Sequence, residues 1–165
     1  MKRRTFGLMA VSAIALAGCS TSKFRRYRGP EVTSIVVNKS DRKMYLLHHD
    51  RVLKDYRFEL GFAPVGHKQF EGDGKTPEGT YIIDRRNPNS RFHLSLGISY
   101  PNEQDIAFAK AMGKKPGGDI FIHGQPNAFK AKGDDWTWGC IAVKNREMEQ
   151  IYAMVNNGTV ITIRP

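Results

Sequence analysis

The stretch VTSIVVNKSDRKMYLLHHDRVLKDYRFELGF, residues 32–62, decides the fold. Residues 32–38 are a β-branched run, closed by the turn residues Ser40 and Asp41. Residues 42–48 (RKMYLLH) continue as a strand. His49-Asp50 makes a second turn, and residues 51–62 follow with Val52, Tyr56, Phe58 and Leu60 in alternation. β-Branched and aromatic side chains suit a pleated, half-buried surface, whereas Ser, Asp and Asn divert the backbone into turns. Three such runs joined by tight turns read as a meander.

Working outward, residues 61–76 are rich in Gly, Lys and Pro and read as a long loop. Residues 79–84 (GTYIID) and 91–98 (RFHLSLGI) read as strands, separated by the turn cluster RRNPNS. The period changes at residues 102–112. Asn102 is placed to cap a short helix, with Glu103 and Asp105 in its first turn and Gly113 at its end. Residues 119–123 read as a buried strand ending at Gly124. Residues 145–157 form the clearest helix, with Asn145 as its cap and Gly158 as its stop. Met148, Ile151, Tyr152 and Val155 share one face. Residues 159–163 (TVITI) close the chain as a strand. The expectation is a mostly β fold with two short helices. At 165 residues there is room for one core and not two.

The formal net charge of +10 invites a nucleic-acid reading. Its placement argues against one, because seven of those charges fall in residues 1–29, which hold no acid. The remaining chain is only mildly basic, and no RNA-binding or helix-turn-helix signature is visible. The start, MKRRTFGLMAVSAIALAGC, has a basic segment and an apolar run too short to span a bilayer, followed by small residues. It reads as an export signal. Leu16-Ala17-Gly18-Cys19 resembles the lipobox of bacterial lipoproteins, in which the cysteine is acylated and becomes the mature N-terminus. Ser20 after it favours sorting to the outer membrane. Arg3-Arg4-Thr5-Phe6 weakly resembles a twin-arginine signal. The expected organisation is a signal peptide over residues 1–19, a basic tether over 20–30 and one catalytic domain over 31–165. The expected location is the periplasm, with a lipid anchor in the outer membrane.

If Cys19 is consumed by the anchor, Cys140 is the one cysteine left, in a compartment where thiols tend to be paired or absent. That raises the odds that its thiol is used. GDGKT is not a phosphate loop, because the pattern needs glycine at 69, where Gln stands, and no helix pattern follows. The five histidines lack metal-ligand spacing, so no metal or other cofactor is expected. His48, His49 and His67 read as surface residues. His93, at an alternating strand position, either lines a cleft or packs. The constellation that remains is His123-Gly124, a spacer, and Cys140. A histidine can take the thiol proton and return it to a leaving amine. A carbonyl such as that of Gly124 can fix its tautomer. The N–H groups around Trp138, Gly139 and Cys140 can face a developing oxyanion.

Ile122-His123-Gly124 with Thr137-Trp138-Gly139-Cys140-Ile141 resembles the L,D-transpeptidase catalytic domain, the YkuD type. Residues 71–81 look like that family's loop and strand, centred on Thr-Pro-x-Gly. Residues 99–102 (SYPN) and 116–119 (PGGD) resemble a subgroup of short Gram-negative enzymes. The resemblance implies a β-sandwich-like fold and acyl transfer on peptidoglycan stem peptides through a thioester on Cys140, with His123 as base and then acid. It also implies Tyr100 near the substrate. Trp136 and Trp138 either wall the pocket or pack. Trp138 and Ala142 depart from the family pattern, in which His is common at the first position and Arg or Asn at the second. Two other activities stay open: a hydrolase that trims stems or frees a lipoprotein from peptidoglycan, and a non-catalytic peptidoglycan-binding lipoprotein.

Overall fold

A computed structural model describes residues 22–131 and 133–165. The expected signal peptide and the expected acylation site, Cys19, lie outside the described residues. The strands are β1 Ser34–Asn38, β2 Lys43–His48, β3 Arg51–Arg57, β4 Gly79–Asn87, β5 Ser95–Ile98, β6 Phe121–His123, β7 Ile141–Ala142 and β8 Val160–Arg164. The helices are α1 Glu103–Ala111 and α2 Asn145–Met154. The strands form one sheet in the order β3-β2-β1-β8-β4-β5-β6-β7.

The meander is present, with β1, β2 and β3 paired antiparallel. The last strand, β8, inserts beside β1 in parallel, Ile35 opposite Ile161. Strand β4 turns the sheet. Its first residues pair with β8 and its last with β5, and the register slips between Ile83 and Arg85. Such irregularities bend a strand and increase its twist. The curl brings the far edge back to the first: Glu59 and Ala142 exchange both backbone hydrogen bonds at 2.8 Å, and Phe62 N–H donates to Thr137 O at 3.0 Å. Backbone groups at those edges are thus paired with each other. Ile35, Met44, Leu46, Ile83, Leu96, Ile122 and Ile161 fill the interior, and α2 adds Met148 and Ile151. The alternation of buried positions along β1 and β2 is the period-2 pattern of a strand with one face inward.

Helix α1 starts as expected. Asn102 accepts the N–H groups of Gln104 and Asp105, and Asp105 returns a bond to Asn102 N–H at 2.9 Å. Helix α2 differs at both ends. Lys144 holds the cap position, and Asn145 lies inside the helix with its side-chain oxygen accepting Gln125 N–H at 2.7 Å. The helix ends at Met154 because Val155 is extended and Gly158 N–H ties to Ile83 O at 2.7 Å. Strand β4 also outruns its expected limit. Arg86 is a strand residue whose guanidinium stacks on Tyr152 and donates to the carbonyls of Tyr152 and Val155. A cation suits the free carbonyls of a helix C-terminus, and this one draws β4 under α2.

Two further expectations change. Residues 91–94 are not strand, and His93 has φ +69. His67 is not a free surface residue. Its Nε2 donates to Asp105 at 3.0 Å and its Nδ1 accepts Glu78 N–H at 2.9 Å, joining the long loop to α1. Ahead of β1, Arg25 pairs with Glu149 at 2.7 Å, and Lys23 Nζ donates to the carbonyls of Pro88 and His93.

Candidate active site

Strands β6 and β7 run parallel, with Ile122 opposite Ile141 and His123 opposite Ala142. Side chains alternate across a strand, so Phe121 and His123 share one face with Cys140 and Ala142. The apolar Ile122 and Ile141 point to the core and are fully buried. The pairing thus carries His123 and Cys140 into one cavity of about 410 Å³, also lined by Ser90, Arg91, Phe92, Ser95, Asp119 and Phe121.

His123 is 3% exposed. Its Nδ1 is 2.7 Å from the Gly124 carbonyl, so the proton sits on Nδ1 and Nε2 keeps its lone pair. Phe92 lies against the ring at 4.5 Å between centroids, and Trp136 meets it edge-on at 5.7 Å. Burial lowers the imidazole pKa to about 4, partly opposed by the Gly124 bond. Gly124 has no room for a side chain: a Cβ would come within 2.6 Å of Asn145 Oδ1 and 3.0 Å of Phe92 O.

Cys140 is half-buried, and its thiol points to Asp119 O at 3.5 Å. Burial pushes the thiol pKa up to about 11. The Phe121 N–H and the more distant charges of Lys68 and Arg85 draw it down only in part. The cavity is therefore lined by a neutral thiol and a neutral imidazole. A thiol activated in advance, the usual picture of a reactive cysteine, would need a cation in contact with it.

The loop that presents Cys140 is held from beneath. Thr137 Oγ1 donates to Cys140 O at 2.7 Å and accepts Gly139 N–H at 3.2 Å. Gly139 has φ +122, and a Cβ there would stand 2.5 Å from Lys75 O; at Gly61 a Cβ would stand 2.0 Å from Gly74 O. The Cys140 loop and residue 61 therefore rest directly on the backbone of residues 74–75. Asp73 stiffens that support by accepting the N–H groups of Gln69, Phe70 and Lys75 and pairing with buried Lys68 at 2.8 Å. The GDGKT segment serves as a buttress.

The expected site residues divide. Cys140, His123 and Gly124 come together. The Gly139 N–H is already bonded to Thr137, so Gly139 is not a free oxyanion donor. Trp138 is 72% exposed and lines an adjoining cleft of about 950 Å³ with Lys68, Glu71, Arg85, Tyr100 and Asp119. Tyr100 is buried, with its hydroxyl on Pro116 O at 3.0 Å. Trp136 backs His123. His93 lies outside both spaces, because the bend at residue 93 turns its ring to Glu149 at 3.0 Å. Sequence reasoning missed Asp119, which borders both spaces, holds the thiol through its carbonyl and carries φ +53. A non-glycine residue in that backbone region leaves no compositional signal beyond the preceding glycines.

A model of the L,D-transpeptidase catalytic domain, YkuD, matches residues 32–163. YafK of Escherichia coli K12 is 30% identical over 112 residues, 67% of this chain and 40% of that protein. YkuD of Bacillus licheniformis is 28% identical over 131 residues, 79% of this chain and 65% of that protein. Among solved structures, the helical cell shape determining protein Pgp2 of Campylobacter jejuni superposes with a TM-score of 0.62 at 27% identity, covering 82% of this chain and 51% of Pgp2. The chain thus spans 40% of YafK and about half of Pgp2.

Proposed function

The chain belongs to the L,D-transpeptidase catalytic domain family, and from that premise we propose that it is a peptidoglycan acyltransferase with Cys140 as nucleophile and His123 as its base. The observation that carries the reading is the shared cavity: one face of β6–β7 presents both side chains, and the Gly124 carbonyl leaves Nε2 of His123 as the proton acceptor.

The chemistry follows from the protonation states. At neutral pH the imidazole is free to accept a proton and the thiol still holds one. Proton transfer from Sγ to Nε2 therefore accompanies attack on the carbonyl of the diaminoacid in a stem peptide. The backbone N–H groups of Trp138 and Cys140 face the oxyanion in this reading. Collapse expels D-alanine, whose amine takes the proton from Nε2, and leaves a thioester on Cys140. An amine of a second stem then attacks, gives its proton to His123, and restores the thiol. With water in place of the amine the same intermediate is hydrolysed. The proposal places the protein in the periplasm, held to the outer membrane by acyl chains on Cys19. Its support is the basic, then apolar, then small-residue order of residues 1–19.

The test incubates the protein with disaccharide-tetrapeptides and with sacculi carrying bound lipoprotein, and reads the products by mass. Cross-linked dimers lacking one D-alanine support transpeptidation. Shortened stems or released lipoprotein without dimers mean that water resolves the thioester. Cys140→Ala should remove every product. Wild-type protein that binds sacculi yet makes none of these products refutes the enzyme reading.

A further inference from the structure

Trp138 stands two residues before the nucleophile and leaves 72% of its surface in solvent. Phe62 is 52% exposed and meets it edge to face, with centroids 5.0 Å apart and planes at 85°. An aromatic of this size usually goes inside, and two adjoining ones left outside mark a contact surface. The pair is built rather than loose. The Phe62 ring lies over Gly74, where a Cβ would stand 2.4 Å from it, and Phe62 N–H is bonded to Thr137 O. Trp138 follows Thr137 directly, so both rings are seated on the buttress that holds the Cys140 loop.

We infer that Trp138 and Phe62 form a stacking platform for a pyranose ring of the glycan strand that bears the stem peptide. The inference rests on the proposed peptidoglycan substrate and names the part of it that the exposed rings hold. A pyranose ring has an apolar C–H face and a polar edge. The platform matches both. The indole offers an apolar face, and the cleft it borders is rimmed by Glu71, Arg85, Lys115 and Asp119, with Gly117 and Gly118 half-buried between them. That cleft, about 950 Å³, joins the Cys140 cavity at Asp119, so a sugar on the platform leaves its peptide within reach of the thiol. A protein partner would need a broader apolar core than two rings set in a charged rim.

The test compares kcat/KM for a disaccharide-tetrapeptide with that for the same tetrapeptide without sugar. Wild-type protein should favour the glycosylated substrate by about tenfold or more, the worth of burying one aromatic face. Trp138→Ala and Phe62→Ala should each bring that ratio towards one, and Trp138→Phe should restore part of it. A wild-type ratio near one overturns the inference. So does a ratio unchanged in the variants, including the case where both substrates lose equally and the platform holds peptide or protein. A second arm titrates peptide-free glycan chains of alternating N-acetylglucosamine and N-acetylmuramic acid and follows tryptophan emission. Saturable quenching that Trp138→Ala abolishes is expected, and its absence overturns the platform. If wild-type protein turns over neither substrate, the acyltransfer reading fails on its own and the glycan titration still decides the platform.

Discussion

Acidification should destabilise this protein through His123. The imidazole is 3% exposed, and burial holds its pKa at about 4 against an ordinary 6.5. The folded state therefore binds this proton less readily than the unfolded state does. Where the folded value is depressed, the stabilising contribution is complete above about 6.5 and is lost as pH falls from there to about 4. The gap between 6.5 and about 4 corresponds to about 3 kcal/mol at roughly 1.4 kcal/mol per pH unit. That is a large fraction of the ~5–15 kcal/mol that holds a domain folded. The variant His123→Asn keeps a donor for the Gly124 carbonyl and removes the titration. Urea unfolding of both proteins at intervals between pH 7.5 and 3.5 isolates the residue. The stability difference, wild type minus variant, should fall by about 3 kcal/mol between pH 7 and 4 and then level off. A difference that stays flat over that range, or that grows as pH falls, would refute the claim that His123 is held neutral by burial.

The thiol makes the opposite demand on pH. Alkylation of Cys140 by iodoacetamide should rise about tenfold per pH unit through pH 9, because its pKa is pushed up to about 11; a plateau below pH 7 would show a preformed thiolate. Gly139→Ala puts a Cβ 2.5 Å from Lys75 O at φ +122. It should cost about 2 kcal/mol or more in urea unfolding and at least tenfold in turnover, and a neutral result would mean that the Cys140 loop does not rest on residues 74–75. Asp73→Asn leaves Lys68 charged in a site where both side chains are nearly buried. A loss of about 3 kcal/mol is expected by thermal or urea unfolding, and a loss below about 1 kcal/mol would remove the pair as the loop's anchor.

Which parts of this molecule were legible in its sequence has a physical pattern. The meander, the capped helix α1 and the apolar face of α2 are local: turn residues, a cap and a period each act within a few positions. What was missed depends on partners far along the chain. Arg86 reads as part of a turn until the carbonyls of α2 are placed above it, and only then does β4 extend to Asn87. Strand β7 is two residues long and owes its existence to β6 on one side and Glu59 on the other. Asn145 looks like a cap by composition, yet Gln125 N–H claims its side chain because Gly124 brings that backbone close.

The candidate site divides along the same line. His123, Gly124 and Cys140 are visible because the chemistry of a thiol and an imidazole restricts the residue types that serve. The buttress beneath them is not visible, because a glycine that permits close approach looks the same as one that permits a turn. Gly61, Gly74 and Gly139 lie in two segments more than sixty residues apart, and only the fold shows that Gly61 makes room for the backbone of Gly74 and Gly139, Gly139 for that of Lys75, and Gly74 for the Phe62 ring. This has a consequence for specificity. Trp138 is anchored through Thr137 to the same support as Cys140, so its backbone holds a fixed relation to the Cys140 loop. In the proposed platform, that shared support would let a glycan strand stacked on the indole set which carbonyl of its stem reaches Sγ.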